Sequence, residues 1–129
     1  MKSAKQFRPN RGGLGTHTRF NGRLKIDRMY DTDWLNYSRK FLAINQECYA
    51  CGKKSEVTDH LVPHKGDDKL FKQLDNHIPL CKKCHNTITA KFDRRFVKGH
   101  TITPKLQWMA DEREMRDLTS RVKVMAEYP

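Results

Sequence analysis

The sequence predicts a small α+β fold, a compact ββα core with flanking helices. Three observations predict it. Two Cys-x-x-Cys pairs, Cys48/Cys51 and Cys81/Cys84, stand 29 residues apart. Two short apolar or β-branched segments, "EVTDHLV" and "NHIPLC", lie between the pairs. Helical apolar spacing precedes the first pair and resumes at the second.

Residues 1–30 carry eight basic residues (Lys2, Lys5, Arg8, Arg11, Arg19, Arg23, Lys25, Arg28) and one acid, Asp27, a net of +7 out of the chain's +11. They also hold four of the seven glycines and little periodicity, so they read as a basic, partly flexible arm. A short ordered piece is expected at "GRLKIDRMY". Such an arm can be solvated when free and still bind phosphates. Residues 31–129 read as the domain proper, with a motif core at 48–92.

"DTDWLNYSRKFLAINQ" predicts a helix capped by Asp31 or Thr32. Trp34, Tyr37, Phe41 and Leu42 fall on one face of it and are expected in the core. "CYACGKK" is the first knuckle, with Gly52 for the turn. "EVTDHLV" predicts a strand, "PHKGDDKLFKQLD" a loop with a helical turn at "KLFKQL", and "NHIPLC" a second strand. "CKKCHNTITAKFDRRF" predicts a helix that begins at the second knuckle. Thr103-Pro104 marks another start, with Thr as cap and Pro at the first position. That C-terminal helix is expected over about 104–125, with Leu106, Met109, Leu118, Val122 and Met125 as its apolar stripe.

A net charge of +11, from 26 Lys and Arg against 15 Asp and Glu, favours a polyanionic partner, and nucleic acid is the commonest. No apolar run reaches 18 residues, and no apolar segment follows the basic start. Neither a membrane span nor a signal peptide is expected, so the cytoplasm is the expected compartment. Disulfides are rare there, and paired Cys-x-x-Cys knuckles suit a tetrahedral zinc ion with four sulfurs at about 2.3 Å. Cys48, Cys51, Cys81 and Cys84 are therefore expected to hold one structural zinc.

The ordered set Asp59-His60, Asn76, Cys81-x-x-Cys84-His85, within "DHLVPHKGDDKLF" and "NHIPLCKKCHN", resembles the HNH endonuclease family of ββα-metal nucleases, in the phage and bacterial type with a four-cysteine zinc site. The likeness runs from Cys48 to about Phe92. It implies hydrolysis of DNA phosphodiester bonds, by nicking as a monomer or double-strand cleavage as a homodimer. It further implies a phage-encoded chain working in the host cytoplasm, beside a terminase in genome packaging.

The residue chemistry agrees with that implication. Asp59 offers a carboxylate and His85 an imidazole, from a strand and a helix that the zinc site ties together. They could share one divalent cation (Mg²⁺, Mn²⁺, Ni²⁺ or Zn²⁺) that stabilises phosphate charge. Neighbours on a strand point to opposite sides, so His60 is left free to act as general base, with a pKa expected near the working pH. The family assigns the matching residues these roles. Asn76 matches the family's middle Asn, which hydrogen-bonds backbone across the loop and supports the base. Thr89 occupies the position of a third ligand in some relatives and is a poor donor. His64 reads as a loop residue behind the site and His77 as structural, while His17 and His100 lie outside the motif. Lys65, Lys82, Lys83, Lys91, Arg94 and Arg95 flank it and are candidates for phosphate contact. The rival expectation is a non-catalytic zinc-dependent DNA-binding module, which has no need of Asp59, His60 and His85 together. A third is a structure-specific nuclease acting on branched or RNA-containing substrates.

Overall fold

The computed structural model describes residues 24–129. The arm up to residue 23, with His17, lies outside the described residues. Residues 24–29 are helical (α1), within the piece expected to be ordered. Asp31 then caps α2 (Thr32–Ile44), its carboxylate accepting from the Trp34 amide at 3.0 Å. The stripe read from the sequence buries Trp34, Tyr37 and Phe41, while Leu42 is half-buried.

β1 (Val57–His60) and β2 (His77–Leu80) pair antiparallel, with Val57 opposite Leu80 and His60 opposite His77. Both strands are shorter than the apolar segments that predicted them. Just past β1 the Leu61 amide still donates to the Asn76 carbonyl in the ladder's register, and the pairing ends at Val62, whose amide turns to the Asn76 side chain. All four residues of β2 are buried. Its far edge is used by the first knuckle, where the Tyr49 amide donates to the Pro79 carbonyl at 2.8 Å. Pro79 has no amide to offer, but its carbonyl still serves that contact.

Between the strands, Lys65 and Gly66 both take left-handed backbone, at φ of 48° and 90°. This tight reversal feeds α3 (Asp68–Lys72), which Asp67 caps by accepting from the Lys69 and Leu70 amides. A 3-10 turn at Leu74–Asn76 leads into β2. α4 (Lys82–Lys91) starts at Cys81, whose sulfur accepts from the Cys84 amide. A second 3-10 turn, Asp93–Arg95, follows it.

α5 spans Thr103–Met115, so the C-terminal helix ends about ten residues before the expected 125. Thr103 is its first residue rather than its cap. The hydroxyl of Thr101 accepts from the Thr103 amide instead. Asp117, at φ 53°, turns the chain out of the helix. The tail beyond it has no regular helix or strand and is held by side chains. Arg113 donates to the carbonyls of Tyr49, Leu118 and Ser120. Asn45 exchanges two bonds with the Lys123 backbone. Leu118, Val122 and Met125 therefore form no helical stripe, and Leu106 is exposed. The buried face of α5 is Lys105 and Met109.

Two hydrophobic clusters result. One gathers Cys48, Ala50, Ile78, Leu80, Cys81, Cys84, Ile88 and Met109, with Trp108 packed against it. The other gathers Trp34, Tyr37, Phe41 and Phe71, with Met29, Met125 and Tyr128 on its margin. Val122 of the tail touches both.

Candidate active site and metal centre

Gly52 at φ 79° lets the first knuckle turn tightly, and the start of α4 forms the second. Together they bring the four cysteine sulfurs within 4.8 Å of one another. Cys51 and Cys81 lie 3.6 Å apart at sulfur. A tetrahedral zinc with bonds of about 2.3 Å needs sulfurs roughly 3.8 Å apart, so the group fits the ion. Four thiolates this close repel. Burial and then the neighbouring sulfurs push the Cys84 thiol up, and burial does most to raise Cys51. A cation is what would let all four ionise together.

The second knuckle opens α4, and α4 with β1 carries the second constellation. Asp59 Oδ2 faces His85 Nδ1 at 3.5 Å. That is too long for a good hydrogen bond. Both atoms are buried, and neither has a hydrogen-bond partner among the described residues. Buried polar atoms without partners are costly and rare in native proteins. Two such atoms facing each other across 3.5 Å could hold a cation between them. Burial alone would raise the Asp59 carboxyl, but the His85 ring, the Lys105 ammonium and the His60 amide hold it below its ordinary value. The Asp59 carboxylate in turn raises the His85 imidazole, against the effect of burial. Thr89 lies one turn beyond His85 and is half-buried.

His60 points away from that pair, as strand alternation requires: along β1, Asp59 is half-buried and His60 fully buried. The His60 ring stacks on Trp34 with centroids 5.2 Å apart, and His64, Phe71 and His77 surround it. Its Nε2 meets the Phe71 carbonyl at 3.1 Å. A carbonyl only accepts, so Nε2 carries the proton and Nδ1 the lone pair. The same carbonyl accepts from His77 Nε2 at 2.8 Å, and Tyr37 donates its hydroxyl to His77 Nδ1 at 2.6 Å. Burial, followed by the two neighbouring histidines, pushes His60 down to about 3. The expectation of a pKa near the working pH is thus corrected. The ring is neutral across physiological pH because an aromatic cage surrounds it.

Asn76 is buried, and its amide nitrogen donates to the carbonyls of Val62 and Leu70 at 3.0 and 3.1 Å. Its oxygen accepts from the Val62 amide at 2.8 Å. It thereby fastens the loop after β1 to the stretch before β2. His64 is also buried: its Nδ1 accepts from the Gly66 amide, so Nε2 donates to the Tyr30 hydroxyl at 2.9 Å. Lys65, Lys82, Lys83, Lys91, Arg94 and Arg95 are all exposed. Lys65 reaches the Asp93 carbonyl at 3.1 Å. Spacing on α4 sets Lys82 one turn before His85 on the same face, with Lys83 and Lys91 on other sides.

Two residues that the sequence reading passed over stand beside this site. Lys105, buried on α5, donates to the carbonyls of His60 and Leu61 and to the Asp93 carboxylate. Asp93, just past α4, is mostly buried and held by that ammonium. Nothing in "TPKLQ" or "KFDRR" marks either residue, since a lysine on a helix and an acid in a basic run both read as solvated.

A family model described as HNH endonuclease matches residues 48–91. That span runs from the first cysteine to the last residue of α4 and contains Asp59, His60, Asn76 and His85. No curated protein and no solved structure matches the chain. No helix among the described residues is long and apolar enough to cross a membrane.

Proposed function

We propose, from the premise that residues 48–91 form an HNH endonuclease domain, that the chain is a metal-dependent nuclease hydrolysing phosphodiester bonds of double-stranded DNA. The observation that carries the reading is the pair of buried, unpartnered atoms, Asp59 Oδ2 and His85 Nδ1, turned toward each other at 3.5 Å. Those two residues would hold a divalent cation. When bound, the cation supplies charge stabilisation at the phosphate and a more acidic water.

The chain's own residues do the rest. His60 is neutral, and with Nε2 committed to Phe71 it presents Nδ1 as the proton acceptor. A base of so low a pKa is weak but never needs to lose a proton before use. Its tautomer is kept by the Phe71 carbonyl, and that carbonyl is itself held by His77. Asn76 fixes the loop that follows the base. Lys65, Lys82, Lys83, Lys91, Arg94 and Arg95 are exposed and would meet DNA phosphates, Lys82 from one turn before His85 on α4. Such contacts set register and affinity without reading sequence.

A non-catalytic zinc-dependent DNA-binding module would keep the four cysteines and the charge. It gives no reason for the Asp59–His85 pair to be buried without partners. Plasmid nicking with added Mg²⁺, Mn²⁺, Ni²⁺ or Zn²⁺, comparing wild type with His60→Ala, separates the two. Wild type should nick and the variant should not. Equal, metal-independent persistence of supercoiled plasmid in both would leave the binding module standing.

A further inference from the structure

Lys105 lies outside the matched segment, on α5, with 1% of its surface exposed. Burying an ammonium is costly unless every proton finds an acceptor. Here each one does. The Lys105 Nζ stands 2.8 Å from the His60 carbonyl, 2.7 Å from the Leu61 carbonyl, and 3.0 and 3.3 Å from the two oxygens of Asp93. With its protons committed, it has no donor left for a substrate, so its work is done on the protein.

The position of those acceptors gives the work its meaning. Carbonyls of consecutive strand residues point in opposite directions, and one ammonium can meet both only where the chain bends. The bend falls at Leu61, directly after β1. On the other side of the bend, the Leu61 amide donates to the Asn76 carbonyl at 2.9 Å and the Val62 amide to the Asn76 side chain at 2.8 Å. The peptide that leaves His60 is thus gripped from two sides, by Asn76 within the motif and by Lys105 from beyond it. Asp93 supplies the counter-charge that lets the ammonium stay buried.

We propose that Lys105, with Asp93, is a positioning residue for the nuclease reaction: it clamps the exit of β1 so that the His60 ring keeps its place against the Phe71 carbonyl and the Asp59 carboxylate keeps its direction toward His85. This rests on the nuclease reading above. The role is carried by a helix that the family match does not include, so α5 is part of the working site and not only an addition to its scaffold.

The test uses the full chain with its zinc. Lys105→Met together with Asp93→Asn removes the clamp without leaving a buried carboxylate unpaired. Lys105→Arg, which keeps charge and donors but moves them, is the second variant. Two readouts are taken below each protein's melting transition: single-turnover nicking of plasmid at saturating DNA with Mn²⁺, and the ring ¹⁵N shifts of His60. The expected result is unchanged DNA affinity and a nicking rate lower by roughly 10–100-fold, the scale of a misplacement of about 1 Å. The His60 ring should at the same time leave its single neutral tautomer. Lys105→Arg should show the same pattern to a lesser degree. Either variant folding with a rate within about three-fold of wild type and unshifted His60 nitrogens would overturn the proposal, leaving Lys105 a stabilising residue only. If wild type itself fails to nick with any of the metals, the nuclease reading fails, and the ¹⁵N shifts alone still decide whether Lys105 sets the His60 geometry.

Discussion

The two halves of the core are built in opposite ways around one pair of strands. The cysteine half packs small residues, Cys48, Ala50, Cys81 and Cys84, around Ile78, Leu80 and Ile88. The aromatic half stacks Trp34, Tyr37, Phe41 and Phe71 about the imidazoles of His60 and His77. In the first half four thiols lie within 4.8 Å of one another, a group that a single ion could tie together. In the second, cohesion is spread over many rings and three hydrogen bonds, two of which meet at the Phe71 carbonyl. The first should therefore fail all at once and the second by degrees.

The largest expected effect is on the cysteine half. Structural zinc contributes about 10–16 kcal/mol in small metal domains, comparable to or above the whole stability of an ordinary domain. Cys81→Ser, or a strong chelator, should unfold or aggregate the chain, as read by far-UV circular dichroism. Elemental analysis should find about one zinc per folded chain. A folded protein with about zero zinc would end the distinction between the halves.

Next comes the chemistry proposed for Asp59, His60 and His85. His60→Ala should lower cleavage by roughly 10²-fold or more while Mn²⁺ binding persists. Asp59→Ala and His85→Ala should lose both, as followed by calorimetric titration. Loss of metal binding in His60→Ala equal to that in Asp59→Ala would overturn the assignment of base and ligand.

The aromatic half should give graded losses. Trp34→Ala removes a large buried ring and should cost about 3–5 kcal/mol in urea unfolding. Tyr37→Phe leaves His77 Nδ1 without its donor and should cost about 1–3 kcal/mol. A Trp34→Ala change as drastic as Cys81→Ser would mean that the two halves do not differ in this way.

The smallest effect is that of pH. His60, His77 and His64 are all held below the ordinary imidazole value, chiefly by burial. Below about pH 6.5 the unfolded chain takes up protons that the folded chain does not yet accept. Their contribution to stability is thus full above that pH and is lost as the pH falls toward their folded values. The urea midpoint should drop between pH 7.5 and 5.5, and drop less in His77→Gln. An equal drop in the variant would remove His77 as a source.

Much of this arrangement can be read from the residues, and what cannot has a physical reason. Asp31, Trp34, Tyr37 and Phe41 announce α2 because a cap and a 3.6-residue stripe are local signals. The knuckles announce their own convergence, since thiols at that spacing have few other uses. Leu118, Val122 and Met125 mislead because their helical spacing comes from a tail without regular structure, in which Val122 packs against both clusters and Met125 against the aromatic one. Asp117, at φ 53°, ends the helical path before any of them. The depth of His60 is invisible in the sequence for a different reason: Trp34, His64, Phe71 and His77 come from four separate segments, and only the folded chain assembles them. Lys105 escapes because its acceptors, two backbone carbonyls and Asp93, are met only across the fold.

The chain has two tryptophans, and the fold assigns one to each half: Trp34 lies within the aromatic cluster and Trp108 against the cysteine cluster. The molecule thus carries its own pair of optical reporters. With Trp108→Phe, the remaining emission follows the surroundings of His60. With Trp34→Phe, it follows the loosening of the knuckles as metal is withdrawn. The order in which the two signals change on unfolding would show whether the halves come apart together or in sequence, with no label attached.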